Sequence, residues 1–275
     1  MKHECNKTRR VNNFGLSFAK RRSLVLSSLL GAGLAASAHG AVLVDITTNV
    51  APAGGAAHEV YDPATQGDNL IPVSDTDLVQ GLTAAVTYLG GQDESVINGT
   101  TRESSRGISA WTDGSISTVY AEGGPGGDAV DHEAYGTVAT NADTVDDVFV
   151  TFDMGAEFSL SKINVIMGWN DNGRAESSFN VLTSIDGTVF SEIASYTKGG
   201  IVTPNDLPIT HLFSIVDSVG DNIADNVRFV RLRFTDADNS HAGLVEVDVF
   251  GSPIPEPTCG ILLGFAALGL LKRRR

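Results

Sequence analysis

Val148-Phe149-Val150-Thr151-Phe152-Asp153-Met154 places Val148, Val150, Phe152 and Met154 on one side of an extended chain. A period of two, carried by β-branched and aromatic residues, marks a strand buried on one face of an antiparallel sheet. Further along, Arg228-Phe229-Val230-Arg231-Leu232-Arg233-Phe234 turns Val230, Leu232 and Phe234 inward while Arg231 and Arg233 point the other way. Leu244-Val245-Glu246-Val247-Asp248-Val249-Phe250 groups Val245, Val247 and Val249 in the same manner. Residues 163–167, 179–184 and 190–195 are further strand candidates. Asp186-Gly187, between the last two, is a hairpin-turn signal. Glycine- and aspartate-rich connections fall at 123–127, 199–206 and 217–226. No segment joins helical period to helix caps over more than a few turns, and residues 76–89 hold one short helix at most. Many short strands with turn punctuation, no internal repeat and no second core predict one all-β domain, a β-sandwich.

The two ends of the chain are of another kind. Lys2, Lys7, Arg9, Arg10, Lys20, Arg21 and Arg22 form a basic region, residues 24–34 an apolar core, and Ala35 to Gly40 a run of small residues with His39. That order is a secretory signal peptide over residues 1–40, with cleavage near 38–40 at either of two sites. Arg21-Arg22-Ser23-Leu24-Val25 loosely imitates a twin-arginine signal, but no cofactor motif calls for export in folded form, which favours the ordinary Sec route. At the other terminus, residues 253–275 hold Pro255-Glu256-Pro257, an apolar run over 259–271, then Lys272, Arg273, Arg274 and Arg275. The prolines keep the triplet extended. The run is shorter than the roughly 17–25 residues of a spanning helix, so a buried terminal helix is the alternative to a membrane segment. The cations behind it favour the membrane, since they hold the end on the cytoplasmic side.

Between these ends, residues 41–252 carry 8 Lys and Arg against 31 Asp and Glu, a net charge of −23. Such a body is repelled by nucleic acid and by anionic lipid, and it accepts divalent cations. Both cysteines, Cys5 and Cys259, lie in the terminal segments, so the body has no disulfide. A domain of this size buries enough apolar surface without one. Cys259 is either a lipidation site or, given its apolar run, an inert small hydrophobe.

The triplet, apolar run and basic end, in that order at the terminus, resemble the PEP-CTERM sorting signal of bacteria that make extracellular polysaccharide. The resemblance implies recognition of Pro255, Glu256 and Pro257 by an exosortase after a signal peptidase has acted at the other end. It also implies delivery to the cell envelope or outside the cell, with the membrane met only through the terminal segments.

The body shows a second resemblance. Residues 148–155, then Leu160-Ser161-Lys162-Ile163, Phe179-Asn180-Val181, Ser184-Ile185-Asp186-Gly187 and Phe190 follow the order of a discoidin (factor 5/8 type C) domain. Val227 to Leu232 and Glu246 to Gly251 fit its ending, and Asp113-Gly114 with Thr118 and Tyr120 is similar to its early loop. The likeness spans about 75–251 and implies a galactose-binding-like jelly roll, a non-catalytic module and an extracellular polysaccharide partner. It also implies a structural calcium at Asp113, Thr118 and Glu246, tying the early loop to the last strand. Calcium takes six to eight oxygens around one or two carboxylates, which suits these residues. Ser115 stands where the family often has a stronger ligand. The other reading is an Asx-turn at Asp113 and a solvent-facing Glu246.

A sugar site needs an aromatic face and fixed polar groups. Trp169, Asn170, Asp171 and Arg174 offer both in one loop, and Asn239 and His241 join them if the family topology holds. Against this, Trp169 can be a core edge and Arg174 a structural cation. Asp236-Ala237-Asp238-Asn239-Ser240 opens like an EF-hand but has His241 at the glycine position and Val247 at the glutamate position, so it is a polar loop. No serine elbow, His-Glu-x-x-His zinc site or phosphate loop occurs. The expectation is a binding module or, failing specific glycan binding, a structural or adhesive matrix component. A hydrolase ranks behind both.

Overall fold

The computed structural model describes residues 40–51, 71–72, 74–88, 107–116, 138–139, 147–169, 174–201, 207–237 and 241–254. The two terminal segments, with Pro255, Glu256 and Pro257, lie outside them. Among the described residues ten strands follow in order: β1 Val42–Val50, β2 Ala85–Tyr88, β3 Val138–Ala139, β4 Val148–Trp169, β5 Ser177–Ser184, β6 Ser191–Tyr196, β7 Ile209–Asp217, β8 Ala224–Ala237, β9 His241–Ala242 and β10 Leu244–Pro253. A 3-10 helix, Gly107–Thr112, precedes β3 among the described residues.

The opening stretch is the first third of β4, a strand of 22 residues that organises the whole sheet. Val148 to Asp153 pair with β2 on one side and β8 on the other. The register with β8 breaks between Asp153 and Phe158. Beyond that break the same strand pairs with β7 and β10. β4 thus passes from a layer of β2-β4-β8-β5-β6 into a layer of β1-β7-β4-β10, all antiparallel. The fold is an antiparallel, all-β sandwich in which one strand serves both layers.

The period-two pattern is what allows this. Val150, Phe152, Phe179, Val181, Val230, Leu232 and Phe234 from one layer meet Ile163, Val165, Phe213, Ile215, Val247 and Val249 from the other in one buried cluster. Phe179 and Phe213 cross the gap edge to face, 5.2 Å between centroids, a favoured aromatic geometry. A second cluster of Ile71, Ile116, Ile166, Trp169, Ile209, Leu212 and Val245 gathers separately.

Two expectations change and one is met. Residues 77–81 form a turn and Ala85–Tyr88 a strand, so the short helix placed within 76–89 is absent from its described part. Ser74 and Asp77 accept backbone hydrogen bonds two residues on, and that local competition breaks helix. The Asp186-Gly187 signal is met, since it joins β5 to β6 as a hairpin in which Asp186 Oδ1 accepts from the N–H groups of Val189 and Thr188, holding its carboxyl well below the usual range. β10 also runs one residue past 252, into Pro253.

Candidate functional site

The last strand carries the most unusual chemistry. Val247 and Val249 face the core, so the intervening Glu246 and Asp248 point to the opposite face of the layer. There they are not solvated: Glu246 is 1% exposed and Asp248 0%. Asp77, from the turn before β2, joins them. Its Oδ1 accepts from Val79 N at 2.6 Å, while Leu78 N donates to Val249 O at 2.8 Å, so the segment seals the free edge of β10.

Each carboxylate has one satisfied oxygen. Glu246 Oε1 accepts from Gly114 N at 3.1 Å. Asp248 Oδ2 accepts from Asn164 Nδ2 at 3.0 Å, and Asn164 Oδ1 accepts in turn from Ser214 Oγ. The other oxygens, Asp77 Oδ2, Glu246 Oε2 and Asp248 Oδ1, are buried with no partner among the described residues. One ligand oxygen from each carboxylate lies within 4.8 Å of the others. Burial first, then mutual repulsion with Asp248, Asp113 and Asp77, pushes Glu246 up to about 10. Burial and Asp77 push Asp248 up to about 6, and burial raises Asp77.

Two buried carboxylates and a half-buried third, each with one unmet buried oxygen, cannot all stay ionised together, since each such oxygen lacks the partner that burial demands. They either hold protons or share a cation. Hard oxygen donors at this spacing suit calcium, with carbonyls or water completing the shell. Glycosidic acid–base work needs carboxyls that reach a substrate. At 1% and 0% exposure these two do not.

The carboxylates brought together are not the set that the resemblance implies. Glu246 takes part, but Asp113 stands outside the group. Its Oδ1 accepts from Ser115 N at 2.9 Å, an Asx-turn that aims Gly114 N at Glu246. Gly114 has φ 79, and a Cβ there would lie 3.2 Å from Ser74 O, so the position requires glycine. Thr118 lies outside the described residues. Asp77 and Asp248 were missed. Asp248 carried a signal, as the second polar position facing out beside Glu246. Asp77 carried none, because only folding brings it to β10.

The expected sugar platform is also corrected in part. Trp169 is 5% exposed and belongs to the second apolar cluster, with the Arg174 guanidinium 4.5 Å above its ring. It offers a pyranose no open face. Gly243 N donates to Arg174 O and Gly168 N to Gly243 O, and a Cβ on Gly243 would lie 2.3 Å from Gly168 O. This close lacing fixes Trp169 and Arg174 beside β9. Asn170, Asp171, Asn239 and the side chain of His241 lie outside the described residues. A different histidine, His211, is buried in β7 against Thr48, with Nδ1 2.8 Å from Thr48 Oγ1, and burial pushes it down to about 4.

The class defined by these features is an antiparallel β-sandwich with a buried carboxylate cluster at the edge of its last strand. No family model and no curated protein matches the chain. Among solved structures it is similar to CpGH89CBM32-6 from Clostridium perfringens, at 16% identity and TM-score 0.36, over 64% of this chain and 100% of that one. It is similar to the lectin domain of lectinolysin, complexed with Lewis B antigen, at 14% identity and TM-score 0.36, over 66% and 99%. A third is CpGH89CBM32-5 of the same bacterium, in complex with GalNAc-β-1,3-galactose, at 15% identity and TM-score 0.35, over 64% and 100%.

Proposed function

We propose that this chain is an exported, non-catalytic sandwich of the cell envelope or extracellular matrix that binds polysaccharide. In this reading calcium at Asp77, Glu246 and Asp248 braces the fold, and signal peptidase and an exosortase remove the two ends. The observation that supports it is the 3.1 Å hydrogen bond from Gly114 N to Glu246 Oε1. It brings the early Asp-Gly loop to the last-strand glutamate, the two places that a calcium joins in the carbohydrate-binding members this sequence pattern resembles.

The test is a glycan array and polysaccharide pull-down with purified residues 41–252, with and without calcium. Retention by at least one polysaccharide is the expected result. Silence across neutral and acidic glycans would overturn it in favour of the second reading, a structural matrix component without specific glycan binding. The burial of Trp169 favours that second reading, because it removes one aromatic platform.

A further inference from the structure

Among the described residues of the β2-β4-β8-β5-β6 layer, Arg233, Arg228 and Glu192 each hold a side-chain partner. Arg233 grips Asp147 through Nε at 2.7 Å and Nη2 at 2.5 Å, and Arg228 grips Asp153 through two bonds of 2.8 Å. Glu192 accepts from Asn180 Nδ2 at 2.9 Å. Arg231 differs. Its Nε donates to Thr151 Oγ1 at 2.8 Å, and its guanidinium lies 3.6 Å from the Phe190 ring centroid and 5.2 Å from that of Phe149. Among the described residues no carboxylate reaches it. Its pKa agrees: burial alone moves it, downward, whereas Asp153 raises Arg228.

A body with 31 acids and 8 bases has carboxylates to spare, yet among the described residues none is paired with this cation. The aromatic contacts fix the guanidinium plane in advance, so little entropy is lost when its outer N–H pair meets an acceptor. A planar carboxylate matches that pair with two parallel bonds. The surrounding negative charge discourages long runs of anions, which suits one acidic group carried on an otherwise neutral surface.

We propose that Arg231, held between Phe149 and Phe190, is a binding site for the carboxylate of a uronic-acid unit in an acidic polysaccharide. The inference rests on the polysaccharide reading above and names its substrate class and a sheet-face location for contact.

The probes are a sparsely substituted glucuronoxylan, with single uronic acids on an otherwise neutral xylose backbone, and its fully methyl-esterified form, which share a backbone and differ in charge. Binding is read by affinity electrophoresis and calorimetry at low salt. The expected result is preference for the free acid, with Arg231→Gln weakening it roughly 10–100-fold, the range of a hydrogen bond to a charged group. Arg231→Lys should recover part of the loss, and Arg228→Gln, which removes the same charge from a paired site, should change binding less than about twofold. Melting curves for every variant separate lost contact from lost fold. Equal binding of both polymers, or an Arg231→Gln protein that binds like the parent, overturns this inference and leaves the broader reading standing. If neither polymer binds while neutral glycans do, the inference again falls alone. Failure on every glycan removes both.

Discussion

Two outward faces of the sandwich use the same alternation to opposite ends. On β8, Arg231 and Arg233 point out two residues apart, and on β10, Glu246 and Asp248 do the same. The arginine pair is separated into different company: Asp147 takes Arg233, and two phenylalanine rings take Arg231. The carboxylate pair is given a third carboxylate, Asp77, and a covering of chain. One face gives each cation a side-chain contact of its own, a carboxylate for Arg233 and two rings for Arg231. The other needs something from outside, a proton or a cation. An alternating strand therefore settles which residues face out, while the neighbours supplied by the fold settle what the charges mean.

The largest expected effect breaks the β10 side. Calcium at 100 to 1,000 times its Kd should stabilise the native state by about 3–4 kcal/mol, roughly 5–15 °C in melting midpoint for a domain of this size. Chelation should remove that gain. Asp248→Asn should abolish the response to calcium yet raise the midpoint of the chelated protein, because a repulsion disappears. A midpoint that ignores both calcium and chelator would count decisively against the cation.

Chelated protein also gives the sign of the effect in pH. Glu246 is raised from its ordinary value to about 10, so between those values the native state binds more protons than the unfolded chain. Its contribution is complete below the unfolded pKa and is lost as pH rises toward about 10. Chelated protein should melt lower at about pH 9 than at about pH 7, and calcium should flatten or reverse that slope. A chelated midpoint that rises over this range would sink the assignment.

Smaller effects belong to the β8 side. Arg233→Ala strands Asp147, whose side chain is 12% exposed, and should cost about 2 kcal/mol in urea unfolding. Asp147→Asn with Arg233 intact should cost less, since Arg233 reaches solvent. Arg228→Ala should leave the unfolding midpoint unchanged within error, because that pair is exposed on both sides. A large loss there would show that the β8 face also depends on charge held away from water.

Much of the sandwich could be read from the chain because its strands face water on one side. β8 and the first third of β4 alternate cleanly, and their inward residues are those the period predicts. β7 escaped notice for the opposite reason. Ile209 to Phe213 are buried on both faces, with Thr210 and His211 among them, so no alternation survives. The 22-residue span of β4 was likewise seen as two strands, because its middle crosses between layers and loses apolar rhythm there. The site divided in the same way. Glu246 is implied only by the resemblance to discoidin domains, at the matching place on the final strand. Asp77 had no local signature, and Trp169 looked like a binding residue because sequence does not show what lies over a ring.

The bond between the segment at Asp77 and the strand at Val249 spans 172 positions of chain. Its consequence lies in folding kinetics. β10 slots between β4 and that early segment, so the sheet edge cannot close until nearly the whole body has been made. Contacts of such separation carry a high loop-closure cost and slow the search for the native state. A chain that completes itself this late stays threadable for longer, an advantage on any route that passes it through a narrow channel in extended form.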